Sequence, residues 1–466
     1  MARRLALAIA GVATALACGL VPATATGDAG WPRLNGNVLF PATDADAGRE
    51  LWRSDGTRAG SRRVMDISPG PSPSDGFPGD MTRVGKRVYL RARDAQKGWE
   101  PWITDGTKRG TRRLLDVNEG PDDAFPSSFT RLGRRVLFNA SDDFGGAELW
   151  RTDGSRAGTR RVADIQPGTD GSNPLNFARL GDILVFPATT EDEGRELWRT
   201  DGTRRGTRLI EDIQPGAVGS NPVEPVRAGR FVFFRALTED EGSELWRTDG
   251  TKRGTRLVRN INPADANSSP QSLARIGDRV LFAADDGTSG AELWRSDGTS
   301  AGTSRIELNA GPGGSLPSAL GKLDPHTLLF RADDGQVGSE LWRTDGTRRT
   351  TRLVRNINPG ADSASPGEFV RLGEFTMFAA RTAAAGRELW RTDGTRNGTR
   401  IVADIVPNTS SSNPCGFAVV DGGLAFGAIG EGIGYELWGL RRPKAEPRLL
   451  RDILPTGSGD PFSCAP

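Results

Sequence analysis

The chain has 466 residues, with 61 Lys and Arg against 59 Asp and Glu, and one histidine, His326. Near-neutrality removes the general positive field of a nucleic-acid binder. A lone histidine leaves too little for a His-ligated metal centre or for Ser-His-Asp and Cys-His nucleophile systems.

The first element in the chain is a targeting segment. Residues 1–4 are basic, residues 5–21 are almost wholly apolar, and Ala23, Thr24 and Ala25 supply the small residues of a cleavage site. This pattern predicts a signal peptide over residues 1–25, with export to the periplasm or the exterior. Cleavage removes only Arg3 and Arg4 among the charged residues, so the mature chain is formally neutral. Lipid attachment through Cys18 ranks below this reading, because Ala15, Leu16 and Ala17 make a poor lipobox. Arg3 and Arg4 also suggest twin-arginine export, although the residues after them match poorly. The apolar run is short and no second one follows, so no transmembrane segment is expected.

From Trp31 onward one pattern repeats. Tryptophans stand at 52, 102, 150, 198, 246, 294, 342, 390 and 438, spaced 50 once and then 48 throughout. Each has a Glu two residues before it, from Glu50 to Glu436, and eight continue into Asp-Gly three residues later, from Asp55-Gly56 to Asp393-Gly394. Such a period marks a repeat architecture filling residues 26–466 as one domain of nine units.

The unit over residues 177–222 shows what is built. Apolar β-formers alternate with turn residues at short intervals, without helical period. Strand A is expected at residues 177–180, ended by Gly181-Asp182, and strand B at 183–188, ended by an acidic loop over residues 190–194. Strand C follows at 196–200, and Asp201-Gly202 turns into strand D at 207–213. Pro215-Gly216 then opens a crossover. Three tight hairpins and one longer return make a four-stranded antiparallel blade. The fold class is therefore all-β, a single β-propeller of nine repeats of about 48 residues. Propellers commonly have four to eight blades, so eight stays open beside nine.

The sequence Glu148-Leu149-Trp150-Arg151-Thr152-Asp153-Gly154 and its copies resemble the ELWxxDGT repeat family, across essentially the whole mature chain. The second unit departs from it as Glu100-Pro101-Trp102, and the ninth has Gly439-Leu440-Arg441 in place of Asp-Gly. The strand layout is similar to that of TolB-type propeller repeats, an architectural likeness that implies fold rather than activity.

One large aromatic per blade at a fixed strand position is expected to be core. Trp31, outside that register, substitutes for Phe129, Phe177 and Phe369 on strand A, whereas Trp99, in a loop beside Gly98, is the better candidate for exposure. Asp-Gly reads as turn chemistry. The repeated Glu suggests an ion pair with the strand A arginines 131, 179, 227, 275 and 371, with the pairing open. His326 reads as an A–B turn residue.

Acidic B–C loops and basic C–D turns fall at opposite ends of an up-and-down meander. The acidic pairs Asp142 and Asp143, Asp285 and Asp286, and Asp333 and Asp334 offer the hard oxygen ligands that suit calcium. The basic turns would take an anionic polymer. No cofactor is required by anything in the sequence.

Cys415 and Cys464 remain after cleavage, one repeat plus one residue apart, and predict a disulfide that fastens the C-terminal tail at the closure seam. Loop lengths are nearly equal, so no blade advertises a catalytic site. The reading is an exported, monomeric scaffold binding a protein or an anionic glycan. Its competitor is a carbohydrate-active hydrolase or lyase with an axial carboxylate site, which would need two unlike carboxylates in one pocket.

Overall fold

The computed structural model describes residues 30–70, 76–263, 266–360 and 362–454, so the leader, Cys18 and Cys464 lie outside the described residues. It contains 36 strands, four to a blade, in a ring of nine blades. In blade 6, strand A is Gln271–Ile276, B is Arg279–Asp285, C is Ala291–Ser296 and D is Ser304–Ile306. Blade 1 runs from Arg33–Leu34 through Asn37–Asp44 and Gly48–Ser54 to Arg62–Met65. Blade 9 ends the series with Cys415–Val420, Gly423–Gly430, Gly434–Leu440 and Arg448–Arg451.

Every blade is an antiparallel A-B-C-D meander. Its central strands are apolar on both faces because each blade is covered by a neighbour on either side. Strand B of blade 6, RVLFAAD, is buried from Val280 to Ala284. Trp294 faces Phe282 across the B–C pairing. The apolar side chains sort into nine clusters, each shared by two adjacent blades, and nine interfaces need a closed ring. One of them joins Val38, Phe40 and Trp52 of blade 1 to Ala418, Leu437 and Leu450 of blade 9. Blade 9 does not pair its strands with those of blade 1 among the described residues, since its sheet contains only its own four strands, and the apolar cluster spans the seam between them. Trp31 stacks on Phe40 at 4.6 Å and packs against this seam, the core role expected for it.

Strand A of one blade touches strand A of the next at seven of the nine interfaces, which places the A strands innermost, around the axis. Strand bounds shift slightly from expectation. In blade 4, strand D is Arg208–Glu211 rather than residues 207–213, because Thr207 Oγ1 bonds Thr200 Oγ1 at 2.7 Å and the Gln214 amide turns to Glu196.

Candidate functional site

The residues that repeat are consumed by architecture. The Glu before Leu-Trp is fully buried in all nine blades. Its carboxylate accepts the first amides of the crossover that follows strand D. Glu244 takes the amides of Ile261 (3.0 Å), Asn262 (3.2 Å) and Ser268 (3.2 Å) together with the Ser268 hydroxyl (2.6 Å). The expected ion pair with strand A does not form. Arg131, Arg179, Arg227 and Arg275 stand at the far end of the blade, exposed, and donate from Nε to the glycine carbonyl of their own A–B turn.

Burial pushes the Glu50, Glu340 and Glu436 carboxyls up to about 7 and that of Glu100 to about 8. Burial also raises Glu148, Glu196, Glu244 and Glu388, each opposed by the hydroxyl and amide of a crossover serine.

Asp-Gly is turn chemistry, as expected. Asp201 Oδ1 accepts the Thr203 amide at 2.9 Å and its hydroxyl at 2.6 Å, while Gly202 takes φ 82. The same glycine serves as a clamp between blades. Arg199, after Trp198, donates to the Gly250 carbonyl of the next blade at 2.9 Å, and Arg53, Arg151, Arg295 and Arg343 repeat the contact. In blade 2, where Ile103 replaces this arginine, Arg112 reaches Gly154 instead. Gly439 holds the position in blade 9, so the seam to blade 1 lacks that guanidinium.

The two ends of the ring differ. Crossovers and B–C loops share one end, as the Thr189 amide bonded to Ser172 shows, and C–D turns share the other with A–B turns, where Asn35 of blade 1 reaches the Asp105 carbonyl. The C–D tips expose Arg58, Lys108, Arg109, Arg156, Arg204, Arg205, Lys252, Arg253, Arg348, Arg349 and Arg396. Among the described residues only Lys252 of these makes an ion pair, with Glu211 at 3.0 Å. His326 lies in its A–B turn, its amide bonded to Asp324.

The acidic loop pairs cap their own turns. Asp142 accepts the Phe144 and Gly145 amides and lies 3.8 Å from Arg161. Asp285 accepts the Gly287 amide, Asp286 accepts the Thr288 and Ser289 amides and pairs with Arg305, and Asp333 and Asp334 likewise cap Gly335 and Gln336. Asp143 is exposed. Among the described residues no three His, Cys, Asp or Glu side chains are grouped to hold a metal ion. Trp99 is half-buried rather than loop-exposed, with the Arg91 guanidinium over its ring at 5.3 Å. It lies in strand C, Gly98–Thr104, because the B–C hairpin turns more tightly than the sequence suggested.

Strand A carries a feature that motif reading missed. At one position in the register of the repeat the backbone of six blades is left-handed at a residue other than glycine: Asp80 (φ 46), Ser128 (φ 59), Asn176 (φ 53), Glu224 (φ 51), Ser272 (φ 55) and Glu368 (φ 59). Unlike carboxylates thus face the axis from blades 2, 5 and 8. Two are spent on neighbours, Asp80 accepting the Ser128 amide and Glu224 the Leu273 amide at 3.1 Å. The available signal was variation at a fixed register within an otherwise constant repeat.

Solved structures that match do so remotely. A puromycin hydrolase shares 15% identity at a TM-score of 0.38, over 77% of this chain and 60% of that one. TolB from Acinetobacter baumannii shares 15% at 0.30, over 67% and 76%. The β-propeller domain of the Trilobed protease from Pyrococcus furiosus shares 13% at 0.36, over 70% and 97%. The chain therefore spans about 60% of the length of the puromycin hydrolase. No family model and no curated protein matches the sequence, so the likeness to ELWxxDGT repeats rests on its motif. Among the described residues, no helix is long and apolar enough to cross a membrane.

Proposed function

We propose that this chain is an exported binding scaffold that holds an anionic polymer, a glycan bearing carboxylate or sulfate groups, across the basic end of its ring. The observation that carries this reading is the set of exposed C–D bases, delivered at a fixed position by blades 1 to 5, 7 and 8, with Ser300 in that place in blade 6. Aspartates in the same turns are occupied by Thr or Ser hydroxyls and amides, as at Asp105 and Asp153, and among the described residues none of them pairs with these bases. A repeating row of guanidinium groups suits a polymer, because each weak exposed contact gains from the next being tethered. The hydrolase reading loses ground, since Asp80 and Glu224 hold backbone amides and no second carboxylate is brought to Glu368 among the described residues.

The test is retention of the mature protein on immobilised polygalacturonate and on a sulfated glycan under a salt gradient. Replacing Arg204, Arg205, Arg348 and Arg349 by Ala removes four exposed contacts. At about a few tenths of a kcal/mol each, the low end for exposed pairs, this weakens binding by about tenfold or more. Replacing Glu191 and Glu239, at the opposite end, leaves retention unchanged. Equal retention of all three proteins overturns the reading.

A further inference from the structure

The repeat fixes most positions, and the inner rim at the crossover end is where it varies. The residue before the buried Glu is Ala147, Ser243, Ala291 or Ser339 in four blades, an arginine in blades 1, 4 and 8 (Arg49, Arg195 and Arg387), Trp99 in blade 2 and Tyr435 in blade 9, and only in blade 8 does such an arginine stand beside a left-handed Glu. Blade 8 is also hollowed beneath that arginine. Strand B, Phe375–Thr382, carries Ala379 where blades 2, 5 and 7 carry Arg91, Arg235 and Arg331. Strand A, Gly367–Leu372, opens on Gly367, which pairs with Ala379.

Arg387 runs across this small-residue floor toward the axis. Its Nη1 donates to the Ser365 carbonyl at 2.9 Å, and its Nη2 lies 3.7 Å from where a Cβ on Gly367 would sit. Beside it stands Glu368 at φ 59, a conformation that Gly416 occupies in blade 9 and that costs glycine nothing. Unlike Asp80 and Glu224, Glu368 makes no hydrogen bond or ion pair among the described residues, although it faces Arg387 electrostatically. Arg331 of blade 7 spends its Nε on Ser318 Oγ at 2.6 Å and adds a second positive charge near Arg387. Tyr435 closes the other side, its hydroxyl donating to the Asn413 carbonyl at 3.2 Å.

Two neighbouring guanidinium groups, one with its Nη2 over Gly367, suit a planar oxyanion, and an adjoining carboxylate without a donor among the described residues suits a hydroxyl. We propose that the rim formed by Arg331, Glu368, Arg387 and Tyr435 binds a small hydroxylated carboxylate of acidic-sugar type, its carboxylate on the arginines and a hydroxyl on Glu368. This site lies at the end opposite the C–D turns and stands independently of the polymer reading.

Isothermal titration of the mature protein with D-galacturonate, D-galactose and inorganic sulfate tests it. Galacturonate is expected to bind at least tenfold more tightly than galactose or sulfate. Arg387→Gln removes a guanidinium, and Gly367→Val fills the hollow beside Arg387 without removing a charge; each should cost at least tenfold in galacturonate affinity with the thermal midpoint preserved. The variant lacking Arg204, Arg205, Arg348 and Arg349 should bind galacturonate normally. Absence of galacturonate binding, equal binding of sulfate, or affinity indifferent to both rim variants overturns the proposal. Loss of polymer retention with intact galacturonate binding would instead remove only the basic-end reading.

Discussion

Glu244→Gln changes one buried carboxylate oxygen to an amide nitrogen at nearly constant volume. In the native blade four donors converge on that carboxylate, from Ile261, Asn262 and both the amide and hydroxyl of Ser268. A glutamine oxygen can serve those on one side only; on the other, its NH₂ meets donors that are buried from water. Each stranded donor costs about 1–3 kcal/mol, and the Ser268 hydroxyl can rotate away, so the expected loss is about 2–4 kcal/mol. Urea unfolding of the purified variant at pH 8 measures the loss. Hydrogen exchange should show it concentrated at the Ile261 and Ser268 amides. A loss below about 0.5 kcal/mol, or exchange unchanged at those amides, would refute the view that the repeated Glu anchors the crossover.

The same carboxyls make stability depend on pH. Glu50, Glu340 and Glu436 are raised to about 7 and Glu100 to about 8, so their contribution is complete below about 4.5 and is lost as pH rises through 7 to 8. The urea midpoint should therefore be higher at pH 5.5 than at pH 8.5, and a flat profile would contradict this. Arg199→Ala removes the clamp on Gly250 and should cost about 1–2 kcal/mol, read as a lowered thermal midpoint. The same substitution at exposed Arg204 should leave that midpoint in place. Cys415 begins strand A of blade 9, against a seam that lacks the interblade arginine. A bond from it to Cys464 should stabilise the ring by about 4 kcal/mol, and alkylation of both thiols in the unreduced mature protein would exclude it.

Much of the fold was legible in the sequence because the repeat states it nine times. The period gave the blade count, the turn glycines separated the strands, and a tryptophan at one strand position had to be core, since each blade is covered on both faces. Those properties are local or follow from counting. The sequence could not show that Glu148 reaches Ser172 across a crossover, or that Arg151 meets Gly202 in the next blade, because both contacts depend on how the blades stack. Opposite charge suggested that Glu pairs with Arg, but strand register puts them at opposite ends of the blade. The inner rim was hidden for a related reason. Gly367 and Glu368, Arg387, and Tyr435 are unremarkable in three separate strands, and only the stacking of blades 7, 8 and 9 brings them, with Arg331, to one side of the axis.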